Sequence, residues 1–595
     1  MHEIAFSPGV SREINVQRTN IILVLTDDQG YPPLGCHGHP TVRTPHIDRF
    51  YGDAIRFEQF HCGTTCAPTR AGLLTGHYCN STGVWHTIGG RSLLRKDEWT
   101  LATALADGGY RTGIFGKWHL GDDYPYRPQD RGFQTAVCHG GGGIGQIPDA
   151  WGNDYFDDVY EVNGVKKKFE GYCTDVFFDE AMRFIEESQD TPFFCYISTN
   201  APHGPHNVEP KYYEPYLDTC KTEDYARFLG MITNIDDNFG RLRAKLQQLD
   251  IEDNTLLMFM SDNGQSAADG GAPVYNSNMR GQKGSQYDGG HRIPFIARWA
   301  DGKLVGGKEI SELTSYVDFM PTLLDICGIE TPAGQPEFHG ESLMPLLRNK
   351  KPQEYWDSRV VVTDTQRVPY PLKYQKSSVM KNRWRLVDCQ ELYDIGADPS
   401  QEHDLASEHP ALVAELTAEY ETWWDVCAKQ FHTDTPISVG NFPSRINGMD
   451  LRNESGLFVC GQKDVRDGKQ VAGYFSVYAE ETGTYAFELC RWPEEVDLPL
   501  TAAIPEGEDV EIREECIPEN RRDAYRSSNE LAIDLAQFQI KDVCIEGKAV
   551  QPTDRSVRFE VELEGGKQYE LRAFFYNRKQ SFNTIPYYIY TSMSG

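Results

Sequence analysis

The chain has 595 residues, of which 39% are hydrophobic and 25% charged, and its formal net charge is −30. This length is too great for one compact core and predicts two to four domains, while the composition is that of a soluble globular protein. The acidic charge argues against nucleic acid as a partner, because phosphate backbones are bound by basic surfaces. No apolar run approaches the roughly 18 residues that a membrane span needs, so we expect no membrane partner.

The start of the sequence and the cysteines bear on the compartment. Met1-His2-Glu3-Ile4 contains no basic segment followed by an apolar stretch, so no secretory signal is visible. The 15 cysteines are scattered, and their spacing matches neither a zinc ribbon nor a small disulfide scaffold. A reducing, cytoplasmic location is the simplest expectation. A periplasmic or secreted location applies if a signal was removed from the sequence.

Strands and helices alternate over about the first 330 residues, which is typical of an α/β fold with a largely parallel sheet. Asn20–Leu25 is a continuous apolar run, as expected of a strand that is buried on both faces. The other predicted strands are Thr112–Phe115, Phe193–Ser198, Thr255–Ser261 and Ile293–Trp299. The predicted helices are Thr100–Asp107, Thr174–Glu187, Asp224–Leu249 and Val317–Cys327.

Two further regions follow the α/β segment. The first contains short predicted strands at Arg359–Thr363 and Arg383–Leu386 and a helix near Pro410–Cys427, which indicates a small α+β subdomain. The last 150 residues alternate apolar and polar residues between turns, a pattern typical of an all-β sandwich. We therefore predict an α/β domain at 1–352, an α+β subdomain at 353–440 and an accessory β-sandwich-like domain at 441–595.

Two acidic corners follow buried strands. Asp27-Asp28 ends the first strand, and adjacent carboxylates there repel each other and are costly to bury unless a cation joins them. Asp262-Asn263 repeats the arrangement after Thr255–Ser261. Each corner alone is more often a loop or cap feature, but two on one sheet favour a metal. Carboxylate and amide oxygens suit calcium or magnesium and not zinc.

Cys66-Ala67-Pro68-Thr69-Arg70 contains the candidate nucleophile. Thr64-Thr65 can cap a helix, and Pro68 falls in its first turn, where a missing N–H costs nothing. We therefore expect Cys66 at a helix N-terminus, where the dipole favours an anion or a nucleophile. Arg70, one turn later, is expected to point at the same place. The pattern is short, so by itself it is weak evidence.

Lysine and histidine residues lie beyond other strand ends or in glycine-rich loops. Lys117 and His119 belong to Gly116–Gly121, His203 follows a third strand, and Lys283 lies between two glycines. Each of them alone is more often a surface cation or a loop residue than part of a site. Together they favour one shared crevice, because open α/β sheets bind ligands at the carboxyl ends of their strands.

In this order and combination the motifs resemble those of the sulfatase family within the alkaline phosphatase superfamily. The resemblance covers about residues 18–430 and includes Glu391–Pro399, which is similar to a late motif of the family. It implies an alkaline phosphatase-like α/β fold, with a large mixed or parallel sheet flanked by helices. It also implies hydrolysis of a sulfate monoester, commonly on a carbohydrate. One departure is Asp288, where the family more often has glutamate, and we expect it to serve loop packing.

The resemblance implies that Cys66 is converted to formylglycine by a formylglycine-generating enzyme. A hydrated aldehyde has two hydroxyl groups on one carbon, so one can attack sulfur and the other can later expel sulfate. A calcium ion, with magnesium as the alternative, would assist that attack. The implied metal ligands are Asp27, Asp28, Asp262, Asn263 and the modified Cys66.

The remaining motif residues are implied to act on the sulfate group. Arg70 would steady the formylglycine and the metal. Lys117 and Lys283 would bind sulfate oxygens and offset the negative charge of the transition state. His119 and His203 would transfer protons. The expected partner is a sulfated small molecule or glycan.

Two other classes of function stay open at this point. A phosphonate or phosphate diester hydrolase of the same superfamily can share the cysteine motif, but the sequence has no visible second set of His and Asp ligands for another metal. A pseudoenzyme or carbohydrate-binding protein would depend on the C-terminal module, and the complete set of motif residues argues against it. Further loop residues could line a leaving-group pocket or be structural, namely Arg91, His139, His206, His291 and Arg292.

Overall fold

A computed structural model describes the chain over residues 18–440, 443–505, 510–540, 544–579 and 582–594. An α/β region, a small antiparallel sheet with a long helix, and a pair of larger β-sheets follow one another along these ranges. The predicted domain boundaries near 352 and 440 stay predictions. Within the described ranges no helix combines the length and the apolar content of a membrane span.

The α/β region holds the first twelve described strands and ten α-helices. The strands are β1 (Asn20–Thr26), β2 (Ile55–Phe57), β3 (Phe60–His61), β4 (Arg111–Lys117), β5 (Thr135–His139), β6 (Val159–Val162), β7 (Val165–Lys168), β8 (Phe193–Ser198), β9 (Thr255–Ser261), β10 (Phe295–Arg298), β11 (Glu309–Ile310) and β12 (Thr314–Ser315). The helices are α1 (Pro45–Asp53), α2 (Cys66–Thr75), α3 (Leu101–Asp107), α4 (Cys173–Glu186), α5 (Pro210–Tyr213), α6 (Glu223–Gln248), α7 (Asp288–His291), α8 (Phe319–Cys327), α9 (Met344–Leu347) and α10 (Gln353–Ser358).

Ten of these strands form one sheet, in the order β11-β2-β10-β9-β1-β8-β4-β5-β6-β7. The central strands β9, β1, β8, β4 and β5 run parallel to one another. The flanking pairs β10–β9 and β5–β6 are antiparallel, so the sheet is mixed. This arrangement brings the carboxyl ends of five neighbouring strands to one edge.

Strand β1 is buried along its whole length because helices cover both faces of the sheet. Ile21, Leu23 and Leu25 lie in a core shared with α2, α3 and α8. Ile22 and Val24 lie in the opposite core, shared with α1, α4 and α6. The continuous apolar run in the sequence therefore has the cause that was predicted for it, since neither set of side chains faces water.

The second region is an antiparallel meander packed against a helix. Its elements are β13 (Val360–Asp364), β14 (Ser377–Lys381), β15 (Trp384–Val387), β16 (Glu391–Asp394) and α11 (Pro410–Cys427). Its core also contains Trp85 from the α/β region. The buried Arg385 Nε donates to Asp288 Oδ1 at 2.9 Å, so Asp288 joins the two regions, in agreement with its expected packing role.

The third region is a β-sandwich with two short helices. Its elements are β17 (Ile437–Val439), β18 (Ser444–Asn447), α12 (Gln462–Asp467), β19 (Phe475–Ala479), β20 (Gly483–Cys490), α13 (Asp523–Arg526), β21 (Leu535–Ile540), β22 (Cys544–Ala549), β23 (Val557–Leu563), β24 (Lys567–Asn577), β25 (Phe582–Thr584) and β26 (Tyr588–Ser594). One sheet has the order β17-β19-β24-β21-β22 and the other β18-β26-β20-β23. Phe538 of the first sheet contacts Phe487 and Phe559 of the second, with ring centroids 5.2 and 5.0 Å apart, so the sheets pack face to face.

Candidate active site

The predicted site residues meet at the carboxyl edge of the central sheet. Asp27 follows β1, Lys117 is the last residue of β4, and Asp262 follows β9. Asp28 and His119 have left-handed backbone conformations, with φ of 66° and 61°. Such conformations are uncommon outside glycine and concentrate at functional sites, where the surrounding structure holds them.

Helix α2 begins at Cys66, as predicted, and Cys66 is 2% exposed. Its sulfur and one carboxylate oxygen each from Asp27 and Asp262 lie within 4.8 Å of one another. The expected capping by the threonine side chains is wrong, because Thr65 makes no side-chain cap hydrogen bond. Thr64 is instead held through its backbone, whose carbonyl accepts from Gly284 N at 2.8 Å.

The Cys66 thiol is not an activated nucleophile in this environment. Burial, the largest effect, raises the pKa of the Cys66 thiol, although Lys117 and Lys283 act in the opposite direction. The position at a helix N-terminus therefore does not outweigh the effect of burial on this thiol.

Arg70 is fully buried and binds the second acidic corner. Its Nε and Nη2 donate to Asp262 Oδ2 at 3.1 and 2.8 Å. Its Nη1 donates to the Lys117 carbonyl at 3.1 Å and to the Ser198 hydroxyl. Arg70 thus ties together the ends of β4, β8 and β9, and its hydrogen bonds go to Asp262 rather than to Cys66.

Burial and neighbouring charges shift the pKa values of the three carboxylates in different directions. Burial raises the pKa of Asp27. Burial and repulsion from Asp27 raise the pKa of Asp262 to about 7. For Asp28, burial alone would raise the pKa, but the Lys283 ammonium and His203 lower it well below its usual range. A further cation at this edge would relieve the repulsion.

The residues present fit a hard cation. Asp27 Oδ1 and Asn263 Oδ1 are buried and have no hydrogen-bond partner among the described residues. The Asn263 amide nitrogen donates to Asp28 Oδ1 at 2.9 Å, which fixes the amide with its oxygen free. Buried polar atoms are rarely left unpaired, and oxygen ligands of this kind suit calcium or magnesium. These residues could hold such an ion, and the predicted ligand set stays a prediction.

Two lysines accompany the carboxylates. Lys117 Nζ lies 2.6 Å from Asp27 Oδ2, and both side chains are fully buried. Lys283 Nζ lies 2.6 Å from Asp28 Oδ1 and 2.7 Å from Oδ2, and its side chain is 14% exposed. Lys117 is thus at the base of the site and Lys283 at its mouth.

Both candidate proton-transfer histidines keep one ring nitrogen free of the backbone. His119 Nε2 lies 2.8 Å from the Thr87 carbonyl, while its buried Nδ1 has no partner among the described residues. His203 Nδ1 lies 2.6 Å from the Gly204 carbonyl, and its Nε2 is 3.8 Å from Asp28 Oδ2. Burial lowers the pKa of His119 well below its usual value. Burial also lowers the pKa of His203, to about 3, although the neighbouring Asp28 carboxylate acts in the opposite direction.

The loop candidate His139 and two residues that the sequence did not single out, Gln29 and Asn200, also lie at this edge. His139 is the last residue of β5, in register with Lys117, and its buried Nε2 has no partner among the described residues. Gln29 and Asn200 are fully buried. The side-chain amide nitrogen and oxygen of each have no hydrogen-bond partner among the described residues. The available signal was position, since Gln29 follows Asp28 and Asn200 follows β8.

The other loop candidates have structural partners. His206 Nδ1 lies 3.0 Å from Asp224 Oδ2, and Arg292 Nε donates to the Glu58 carbonyl at 2.7 Å. His291 is fully buried, with Nδ1 2.9 Å from His61 Nδ1. Arg91 lies 3.6 Å from Asp434. These four residues are held in other parts of the fold.

Comparison with known families adds an independent observation. Residues 19–329, more than half of the chain, match the family model described as Sulfatase. The chain belongs to the sulfatase family. Residues 282–423 match the model for the C-terminal part of N-sulphoglucosamine sulphohydrolase, so the β-sandwich lies outside both matches.

Several relatives of this sulfatase are known. N-acetylgalactosamine-6-sulfatase of Homo sapiens is 31% identical over 358 residues, which are 56% of this chain and 66% of that protein. Arylsulfatase G of Rattus norvegicus is 29% identical over 391 residues, which are 58% of this chain and 71% of that protein. The chain thus spans slightly less than two thirds of the first of these relatives.

A solved structure supports the fold. The crystal structure of Ps i-CgsB in complex with k-i-k-neocarrahexaose is similar with a TM-score of 0.62 at 26% identity. The similarity covers 70% of this chain and 100% of that chain. The predicted fold class, a large mixed sheet flanked by helices with a C-terminal all-β module, is therefore confirmed.

Proposed function

We propose that this sulfatase-family chain hydrolyses a sulfate monoester on a carbohydrate, through formylglycine formed from Cys66 and beside a bound calcium ion. The observation that carries the proposal is the meeting of the Cys66 sulfur with Asp27 and Asp262 oxygens within 4.8 Å at one sheet edge. Family membership supports the reaction class. The names of its relatives include a sulfatase for a sulfated sugar, which supports the carbohydrate substrate.

Four oxygen-bearing side chains would hold the metal. They are Asp27, Asp28, Asp262 and Asn263, and the modified residue 66 would complete the set. A bound calcium or magnesium ion supplies Lewis acidity toward a sulfate oxygen. The unpartnered oxygens of Asp27 and Asn263 support this assignment.

A formylglycine at residue 66 supplies a hydroxyl nucleophile in place of the thiol. Family membership and the position of Cys66 at the start of α2, beside Asp27 and Asp262, support this modification. The partner that installs it would be a formylglycine-generating enzyme. Arg70 would hold Asp262 in place beside the modified residue, through its two hydrogen bonds to that carboxylate.

The two lysines would bind the sulfate group. In the structure each ammonium group neutralises one carboxylate, Lys117 on Asp27 and Lys283 on Asp28. A divalent cation on those carboxylates would release the lysines toward sulfate oxygens, where their charge stabilises the transition state. The burial of Lys117 and the partial exposure of Lys283 support binding of the sulfate group from opposite ends of the site.

The two histidines would divide the proton transfers. His203 has a partly exposed side chain near Asp28 and Lys283, so it is suited to the leaving-group side. His119 is 6% exposed and deeper in the fold, so it is suited to the hydroxyl groups at residue 66. General acid catalysis of this kind contributes about 10²–10⁴-fold.

The test is an assay of the full chain co-expressed with a formylglycine-generating enzyme. N-acetylgalactosamine 6-sulfate and 4-nitrophenyl sulfate are the substrates, and a phosphonate monoester is the comparison. Cys66→Ala, which cannot be modified, is the matched control and should be inactive. Protein that carries the aldehyde and calcium yet releases no sulfate from either substrate would overturn the proposal. Faster hydrolysis of the phosphonate would assign the chain to the other reaction class.

A further inference from the structure

A cavity of about 380 Å³ opens beside the candidate active site. Its volume lies within the range of about 300–1,000 Å³ typical of small-ligand pockets. Two of its lining residues, Thr65 and Lys283, adjoin or belong to the candidate active site. Two others, Arg367 and Lys376, lie in the loop between β13 and β14. None of the described residues that line this cavity is Asp or Glu. It is therefore a positively charged recess in a chain whose net charge is −30.

The two loop cations are not neutralised by neighbouring carboxylates. Within the described ranges neither Arg367 nor Lys376 has a carboxylate oxygen within 4.0 Å. Lys376 Nζ makes a single hydrogen bond, to Gln286 Oε1 at 3.3 Å. By contrast, Lys373 in the same loop pairs with Glu421. Unpaired cations around a concave surface attract and bind anions.

The walls of the cavity are tied to the segment that precedes Cys66. Thr365, two residues before Arg367 in the chain, accepts a hydrogen bond through its hydroxyl from Thr64 N at 3.2 Å. The Thr64 carbonyl accepts from Gly284 N at 2.8 Å, which attaches the Lys283 loop to the same point. A group held in the cavity would therefore stand at a defined distance from residue 66.

The loop that carries Arg367 is braced internally. The Gln366 amide donates to the Leu372 carbonyl at 2.7 Å and accepts from Leu372 N at 2.9 Å. Gln366 also donates to Asp364, the last residue of β13, at 2.9 Å. Such bracing fixes the backbone from which Arg367 projects and reduces the entropy lost when a ligand binds.

We infer that this cavity binds a second anionic group, a sulfate or a carboxylate, on the same saccharide whose sulfate ester is cleaved. The inference rests on the proposed function, because Lys283 belongs to both the site and the cavity. Arg367 offers a planar guanidinium for two parallel hydrogen bonds to such a group, and Lys376 adds a point charge. The substrate class is then a saccharide with at least two anionic groups, rather than a neutral sugar with one sulfate.

Binding to full-length Cys66→Ala protein loaded with calcium tests the inference without turnover. Two ligand pairs are compared by calorimetry. The first pair is N-acetylglucosamine 6-sulfate and N-sulfoglucosamine 6-sulfate, in which an N-sulfo group replaces the N-acetyl group. The second pair is N-acetylgalactosamine 6-sulfate and its 4,6-disulfate, in which one O-sulfate is added. We expect the disulfated member of at least one pair to bind about tenfold more tightly. Arg367→Gln/Lys376→Gln should remove most of that preference and leave the monosulfated ligands unchanged.

The matched control is Arg348→Gln/Lys350→Gln, which removes the same charge from residues that do not line the cavity. It should keep the preference. An equal preference in the Cys66→Ala protein with and without Arg367→Gln/Lys376→Gln, or no preference in either, would overturn the inference. The inference would also be overturned if Arg367→Gln/Lys376→Gln lost as much affinity for inorganic sulfate as for the disulfated sugar. The cavity would then bind free anions. Aryl sulfate turnover by the mature protein is measured separately, so a failure of the proposed reaction is distinguishable from a failure of the cavity.

Discussion

At the scale of single residues, position 66 is the most constrained point of the site. Its thiol is almost fully buried, and Asp27 and Asp262 lie beside it. A cysteine that acts as a thiolate is typically partly exposed, whereas burial raises the pKa of the Cys66 thiol despite the nearby Lys117 and Lys283. The proposed reaction accordingly depends on modification of residue 66.

Active protein should therefore carry an aldehyde at residue 66. The peptide that contains this residue is expected to be lighter by about 18 Da than its unmodified form. Mass spectrometry of a protease digest, combined with the specific activity of the same preparation, gives the measurement. Activity should rise in proportion to the modified fraction. Full activity from protein with intact Cys66 would contradict the assignment.

Alanine variants of Asp262 and Asn263 should distinguish an effect on metal binding from an effect on folding. Asp262→Ala leaves the buried Arg70 charge without its carboxylate, so it should abolish turnover and lower the free energy of unfolding by about 3–5 kcal/mol. Asn263→Ala removes one ligand oxygen and no charge, so it should weaken calcium binding with a much smaller effect on the metal-free protein. Thermal unfolding with and without calcium, with elemental analysis, distinguishes the two. Stoichiometric zinc without an alkaline-earth metal would count against the ligand set.

The two histidines should respond differently to the leaving group. A sugar alcohol needs a proton as its bond to sulfur breaks, whereas a nitrophenol departs readily as its anion. His203→Ala should therefore reduce kcat/KM on a sulfated sugar about 10²–10⁴-fold and reduce it much less on 4-nitrophenyl sulfate. His119→Ala should slow turnover of both substrates, as seen in single-turnover kinetics. Equal losses on both substrates for His203→Ala would show that it only positions sulfate.

At the scale of elements, apolar patterning predicted the strands that position the site. Asn20–Leu25 could be identified as a strand because both of its faces are buried. Residue types at strand ends then located the carboxylates and Lys117, and a glycine-rich loop located Lys283. Edge strand β7 was not predicted, because its Val165–Lys168 sequence is exposed and lacks an apolar pattern. Asn200 was missed because asparagine is common in loops, and the sequence alone does not show that this one is buried.

Pairings that join distant parts of the chain could not be predicted from local sequence. The Arg70–Asp262 and Lys117–Asp27 contacts depend on which strands are neighbours in the sheet. The threonines before Cys66 show that a prediction from local residue type can also fail. Their type favours capping, but tertiary hydrogen bonds hold Thr64 through its backbone instead.

The loop of residues 140–152 is an element whose position depends on the β-sandwich. Its Gly142 packs so closely on the His119 ring that a Cβ there would lie 2.4 Å from Nε2. Gln462 holds this loop, since its amide donates to the Ala150 carbonyl at 3.0 Å and accepts from Gly152 N at 2.9 Å. Gln462 thus acts as a positioning residue for His119.

Gln462→Ala should consequently lower kcat on aryl and sugar sulfates to the same degree, by roughly three- to tenfold, because the loop loses several hydrogen bonds. Calcium affinity and KM should change little. The matched control is Gln551→Ala, an exposed glutamine of the same sandwich. A loss confined to the sugar substrate would show instead that the loop contacts the leaving group.

At the scale of the whole molecule, the β-sandwich and the α/β region share one core. Leu93, Tyr126 and Ile147 of the α/β region lie in the same apolar cluster as Val477 and Phe487 of the sandwich. Backbone hydrogen bonds reinforce this junction, including Ile147 N to the Cys460 carbonyl at 2.8 Å. The sandwich therefore supports the site even though it supplies none of the predicted site residues.

The uneven distribution of charge has a consequence for the rate at which substrate arrives. A surface with a net charge of −30 repels a sulfated sugar at long range, whereas the cations of the recess attract it only at contact. Dissolved salt weakens the long-range repulsion before it weakens the short-range attraction. The reason is that the screening length falls from about 30 Å at 0.01 M to about 10 Å at 0.1 M. Stopped-flow association with a fluorescent disulfated sugar should therefore accelerate over this range of ionic strength and slow above it. A monotonic decrease would mean that the recess governs the field even far from the protein.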